Sequence, residues 1–288
     1  MPNPQFYPLP TWSPLFEEPT HLFKGCTAIC MLCRAPAGSL NGLVPFPLIS
    51  AANNSGDLFH LAFMRTDAIV MPTYSYKDTH VVEFGLPVEF NGMKGGHCTL
   101  EYFDTDFGMA AGRELYGWPK KMGRISWKAE DDGRIHAEVQ RDGHTLIMAD
   151  FTPSRTNEEV KWPEIFGIAD DAPYLQVRPT DRGNPGETMI LDVIRQDVST
   201  SVLHSTTPGT GKLRLFDGPT DPLSFLGPVE VLAARVDKYD FEFGWGSVVA
   251  SVELADPKSH ANDQLELSYQ LRRNAGFPTQ KLRTIITP

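Results

Sequence analysis

Two adjacent lysines, Lys120 and Lys121, stand in the segment Gly112 to Gly123, GRELYGWPKKMG. A lysine is a nucleophile only without its extra proton, and an ordinary one, with a pKa of about 10.4, is neutral in only a few molecules per ten thousand at pH 7. Here Leu115, Tyr116, Trp118 and Met122 supply apolar bulk on either side, and two ammonium groups so close raise each other's cost of staying charged. Bringing the pKa to about 7 takes roughly 4 to 5 kcal/mol of differential interaction, which burial and a neighbouring cation can supply. The neutral amine attacks a ketone, and the resulting iminium draws electrons from the adjacent C–C bond. Pro119 cannot donate a backbone hydrogen bond and pushes Trp118 out of the helical region, so the lysines follow a short helical turn punctuated by Gly112, Gly117 and Gly123. A lysine pair alone is usually a solvated surface feature, so the weight falls on its surroundings.

Those surroundings resemble the signature of acetoacetate decarboxylases, in which Gly-Arg-Glu precedes Pro-Lys-Lys and the first lysine is the Schiff-base nucleophile. Upstream, Phe90 to Gly95 reads FNGMKG, similar to the family's Phe-Asn-Gly-x-Lys-Gly. Downstream, KLRLFDGPTDPLSFLGPVEVLAA from Lys212 to Ala234 resembles the family's late strand, Leu-Phe-Asp corner and following strand. The resemblance implies that Lys120 is the nucleophile and Lys121 the neighbour that lowers its pKa. Arg113, Glu114, Glu83, Phe90, Met93 and Trp118 are the candidate substrate-binding residues. Arg113 and Glu114 fit an ion pair that fixes the loop equally well.

The chain also departs from the family pattern. The family's first-strand arginine falls on Cys26, and the first of two strand glutamates falls near Ala62. For the second glutamate, Glu83 and Asp78 compete; if a barrel interior takes the Val82, Phe84 and Leu86 face, Glu83 points outward. A retained lysine with altered polar partners is the pattern of relatives that resemble aldolase-dehydratases.

The chain has 288 residues, 41% of them apolar and 22% charged, which is ordinary for a globular protein. A net charge of -10 argues against nucleic acid or an anionic membrane surface as partner, because phosphate must be met by an excess of Lys and Arg. Lys94, Arg113, Lys120 and Lys121 nevertheless cluster within a short span, as a small carboxylate substrate requires. The N-terminus MPNPQFYPLP lacks the regions of a signal peptide, and no apolar run reaches membrane-spanning length, so a cytoplasmic location is expected. Cys26, Cys30 and Cys33 have the spacing of ligands to an iron-sulfur cluster, but GCTAICMLCR is a continuous apolar run of the kind a buried strand uses. The three are read as small buried hydrophobes, and Cys98 stands alone. No histidine pattern suits a metal, and GTGK from Gly209 to Lys212 lacks the first glycine and the hydroxyl residue of a phosphate loop. No cofactor and no metal are expected.

The elements that must position the lysines are mostly strands. Val81 to Phe90 alternates clearly, with Val82, Phe84, Leu86, Val88 and Phe90 on one side and Glu83 and Glu89 on the other. Strands are also expected at His21 to Arg34, Asp57 to Arg65, Ile69 to Tyr76, Gly95 to Asp104 and Tyr174 to Pro179. Later strands are expected at Thr188 to Leu203, Lys212 to Phe216, Val229 to Phe243 and Val248 to Leu254. Arg124 to Lys128, Arg134 to Gln140 and Thr145 to Phe151 form a meander with Asp-Gly turns at Gly133 and Gly143. Gly38 to Val44 reads as a short helical turn, and 157 to 171 as polar with a short helix. The fold class is α+β, mainly antiparallel β, with a closed or nearly closed barrel-like core. Three parts are expected: a proline-rich arm over 1–20, one domain over 21–255 and a polar extension over 256–288, the arm and extension suiting a homo-oligomer. The leading functional expectation is a lyase that decarboxylates a small β-keto acid through an iminium on Lys120. The alternatives are an aldolase-dehydratase using the same lysine and a non-catalytic barrel that binds a hydrophobic ligand.

Overall fold

The computed structural model describes residues 14–40, 42–51, 57–154, 172–181 and 189–254. In chain order the elements are β1 (His21–Arg34), β2 (Ile49–Ser50), β3 (Leu58–Val70), β4 (Ser75–Phe90), β5 (Met93–Phe103) and helix α1 (Asp106–Ala111). A π-helical turn, Gly112–Tyr116, leads to β6 (Lys120–Met122), β7 (Arg124–Ala129), β8 (Ile135–Arg141) and β9 (His144–Pro153). Then come β10 (Tyr174–Asp181), β11 (Met189–Gln196), β12 (Val198–Leu215), β13 (Asp217–Gly218), β14 (Asp221–Pro222), β15 (Glu230–Phe243) and β16 (Ser247–Leu254). The expected short helix at 157 to 171, the C-terminal extension and the first part of the proline-rich arm lie outside the described residues.

Fourteen strands form one sheet, in the order β16-β11-β10-β5-β4-β3-β1-β15-β12-β9-β8-β7, with β2 on β4 and β6 on β5. Neighbours are antiparallel except β10 on β5 and β6 on β5. The path ends at β16 and β7, so the core is nearly closed and barrel-like, with the hydrogen-bonded ring left incomplete. Among the described residues no helix is long and apolar enough to cross a membrane.

Both faces of the central strands are covered. One face carries Ile29, Met31, Phe63, Val82 and Phe84 into the main core. The other carries Ala28, Cys30, Met64, Val81 and Phe103 against Phe107 and Ala110 of α1. Period-2 alternation therefore does not separate inside from outside here: Glu83 shares the second buried face and is 9% exposed. The cysteines divide the same way, Cys26 and Cys30 on the second face and Cys33 on the first, so β1 cannot aim all three at one cluster.

Three boundaries differ from the sequence reading. The break expected between Arg65 and Ile69 is absent because β3 continues to Val70, held by residue-for-residue pairing of Thr66 with Cys26 and Ala68 with Lys24; the chain turns instead at Met71 to Tyr74, which divides the expected strand Ile69 to Tyr76 between β3 and β4. The strand expected over Thr188 to Leu203 is split between β11 and β12, and β12 runs on through the Pro-Gly-containing stretch because β15 and β9 pair with it there. The described residues of the stretch expected as a helical turn at Gly38 to Val44 make hydrogen-bonded turns, Ser39 N–H to Pro36 O and Leu43 N–H to Leu40 O, and none of them is helical.

Candidate active site

The lysine segment is delivered by a helix that must stop and reverse into a strand. Gly117 ends the π-helical turn in the left-handed region at φ 76°, a conformation in which only glycine is unstrained. Its neighbour Pro119 forbids further helix, and Lys120 to Met122 then pair in parallel with Glu101 to Phe103. Arg178 donates to the carbonyls of Leu115 at 2.6 Å and Glu114 at 3.2 Å, which satisfies the end of the turn. Gly112 is needed for space and not for its φ of -61°, since a Cβ there would collide with Cδ and Cε of Lys120.

Because successive strand residues point to opposite faces, β6 sends its two lysines apart. Lys120 enters a cleft with an empty volume of about 630 Å³, counting the part open to solvent. Its side chain is 12% exposed; Nζ lies 2.9 Å from Oε1 of Glu101, 4.6 Å from the Phe103 ring centre and 5.3 Å from that of Trp118. Lys121 turns to the other face, where Nζ donates to Asp221 Oδ1 at 2.6 Å and to the Thr220 carbonyl at 2.9 Å. The Lys121 charge, expected beside Lys120, is thus engaged by Asp221 on the opposite face of β6. Lys120 is ion-paired with the Glu101 carboxylate, and Lys121 lines a different cavity with Arg113.

One row of residues in register crosses the sheet at this level: Cys30 with Ala62, Ala62 with Glu83, Glu83 with Glu101, and Glu101 with Lys120. It places two carboxyl groups beside the lysine. Burial pushes the Glu83 carboxyl up to about 8, reinforced by the Glu101 charge. Glu83 is thus mostly neutral at pH 7. Its Oε2 accepts from the Tyr174 hydroxyl at 3.2 Å, so its own proton belongs on Oε1, which lies buried without a partner. Burial also raises the Glu101 carboxyl, while Lys120 pulls it back down. His21, at the same cleft, has its imidazole lowered by burial and donates Nε2–H to the Glu17 carbonyl, 2.9 Å away.

The other expected site residues divide. Trp118 lines the cleft, and its indole N–H donates to Gln196 Oε1 at 2.9 Å. Glu83 lies inside, where Asp78 is exposed and paired with Arg65 at 2.7 Å. Arg113 does not enter the cleft; it donates to the Lys120 carbonyl at 3.1 Å and so braces β6 from behind. Glu114 is exposed, with its carboxyl raised by what burial it has. Phe90 and Met93 pair at the base of the β4–β5 hairpin and pack with Leu48, Val88 and Leu175, away from Lys120. Their FNGM block is a tight turn with Asn91 at φ 49° and Gly92 at φ 80°, which is what that motif is built for. Glu101, Tyr174 and Gln196 were missed. For Glu101 a signal existed, an acid on the opposite parity to Leu100 and Tyr102; Tyr174 and Gln196 come from distant strands and leave none.

A model of the family described as acetoacetate decarboxylase (ADC) matches residues 3–252. The chain belongs to the acetoacetate decarboxylase family. A curated relative, the acetoacetate decarboxylase of Clostridium beijerinckii, is 25% identical over 243 residues, covering 83% of this chain and 92% of that one. A solved acetoacetate decarboxylase superposes with a TM-score of 0.72 at 20% identity, over 86% of this chain and 96% of the other. The enduracididine biosynthesis enzyme MppR, solved in complex with pyruvate, gives 0.69 at 19% identity, over 85% and 97% of the two chains. The family fold is therefore present, with its lysine segment at the mouth of a buried, aromatic-lined cleft.

Proposed function

We propose that this chain is a Schiff-base-forming C–C lyase that decarboxylates a small β-keto acid. The observation that carries the reading is the Lys120 amine enclosed by aromatic rings with Glu101 at 2.9 Å. Glu101 accepts a proton from the Lys120 ammonium, and the freed amine adds to the ketone carbon. The carbinolamine loses water and becomes an iminium. The electron pair of the bond to the carboxylate then moves into the iminium, carbon dioxide leaves, and an enamine remains. Glu83, held neutral by its surroundings, is suited to protonate the enamine carbon, after which water releases the ketone product and restores the amine. The apolar walls assist because the carboxylate enters with a localised charge that is spread and then neutralised as the bond breaks.

A second reading, aldolase-dehydratase, is favoured by the Glu83 and Glu101 pair. A keto acid such as pyruvate, bound as its iminium, would lose a methyl proton to Glu101, add to an aldehyde, and lose water with help from Glu83. Borohydride with acetoacetate or pyruvate tests the shared step: a reduced adduct on Lys120 supports it, and an unlabelled Lys120 would count against both readings. Product masses from acetoacetate, pyruvate and larger keto acids, each with and without aldehyde, separate loss of carbon dioxide from condensation.

A further inference from the structure

Two buried polar atoms at the Lys120 cleft have no hydrogen-bond partner, Oε1 of Glu83 and Nε2 of Gln196. Gln196 is 1% exposed. The orientation of its amide follows from chemistry: the Trp118 indole N–H only donates and lies 2.9 Å from Oε1, so the oxygen faces Trp118 and the NH2 does not. Buried donors are nearly always satisfied in folded proteins, so an orphaned one in a cleft wall marks a missing acceptor. The position suits a ligand. Gln196 pairs across β10–β11 with Tyr174, whose hydroxyl holds Glu83, and is bonded to the same indole over which Lys120 lies.

We propose that Gln196 is the specificity residue for the substrate carboxylate, its Nε2 donating to a carboxylate oxygen of the keto acid whose ketone carbon meets Lys120. The assignment rests on the Schiff-base reading of Lys120. Among the described residues lining the cleft, Lys120 is the only lysine or arginine; Arg113 braces the back of β6 and Lys121 is bound to Asp221. An uncharged donor also suits the reaction. A cation would stabilise the bound carboxylate more than a transition state whose charge is leaving for the iminium, whereas an amide orients the group with less of that cost. The effect therefore belongs mainly in KM.

The test uses the full chain and two variants, Gln196→Glu, which keeps an acceptor for Trp118 but presents an anion, and Gln196→Met, which removes the donor. Borohydride trapping is titrated with acetoacetate and with 2-pentanone, a ketone of similar length without the carboxylate. Both variants should need at least about tenfold more acetoacetate for half-trapping, with 2-pentanone unchanged within about twofold. Equal effects on the two ketones, or none on either, would overturn the proposal. Calorimetry with 3-hydroxybutyrate, which cannot form an iminium, keeps the two claims apart. Binding to the wild type that Gln196→Glu loses supports the anchor even if Lys120 traps nothing. No binding to the wild type, or binding the variants retain, rejects it even if Lys120 traps well.

Discussion

Lys120 and Glu101 face each other across parallel strands in register, and Nζ and Oε1 are 2.9 Å apart with both side chains almost buried. A carboxylate this close can hold the lysine proton in place at rest and remove it when substrate arrives. Glu101→Gln keeps the shape and removes the base. The expected outcome is a fall of about 10² to 10⁴ in the rate of iminium formation, measured by single-turnover borohydride trapping, with Lys120→Ala giving no adduct. Trapping at the wild-type rate in Glu101→Gln would show that water alone takes the proton.

Gly112→Ala separates position from stability. Alanine is the better helix former by about 0.5 to 1 kcal/mol and the φ of -61° suits it, so the melting temperature should hold or rise. Its Cβ must displace Cδ and Cε of Lys120, and a displacement near 1 Å costs about 10²-fold in rate. Full activity in a folded Gly112→Ala protein would remove the steric role assigned to this glycine.

Lys121→Met should leave the pH optimum of turnover where it is, because Lys121 lies on the other face of β6. It should instead strip the buried Asp221 of a partner bound at 2.6 Å. Stability is expected to drop by about 1 to 3 kcal/mol, discounted from the cost of a fully buried pair because Lys121 is 32% exposed. Denaturant midpoints and pH–rate profiles measured together decide this. A shifted optimum would restore Lys121 as an electrostatic partner of Lys120.

Glu83 sets an alkaline limit. Its carboxyl is raised to about 8 in the folded chain from an ordinary value near 4.5, so the folded state binds its proton more tightly than the unfolded chain does. The stability this gives is complete below the unfolded value and is lost as pH climbs from about 4.5 through about 8, at up to about 1.4 kcal/mol per pH unit. Glu83→Gln should flatten that slope by one proton in denaturant titrations at pH 6 and pH 8. If Glu83 protonates the enamine, turnover should also decline above about pH 8 in the wild type, and the variant should be slow at every pH.

Local chemistry in the amino-acid sequence was enough for the family and for most of the strands. Glycines, a proline and two lysines at fixed spacing encode a helix stop and a strand start, and β1 was legible in full because fourteen consecutive residues alternate or bury together. The partners of Lys120 were not legible in the same way. Glu83 stands among the candidates, yet it faces out if one apolar stripe on β4 is the whole interior; α1 and the aromatic end of β15 cover the second face as well and bury it. Adjacent positions promised that Lys120 and Lys121 would share a pocket, and strand geometry sent them to opposite sides. Glu101, Tyr174 and Gln196 come together only because β5, β10 and β11 are neighbours in the sheet, and pairing between distant segments leaves no mark in the residues themselves.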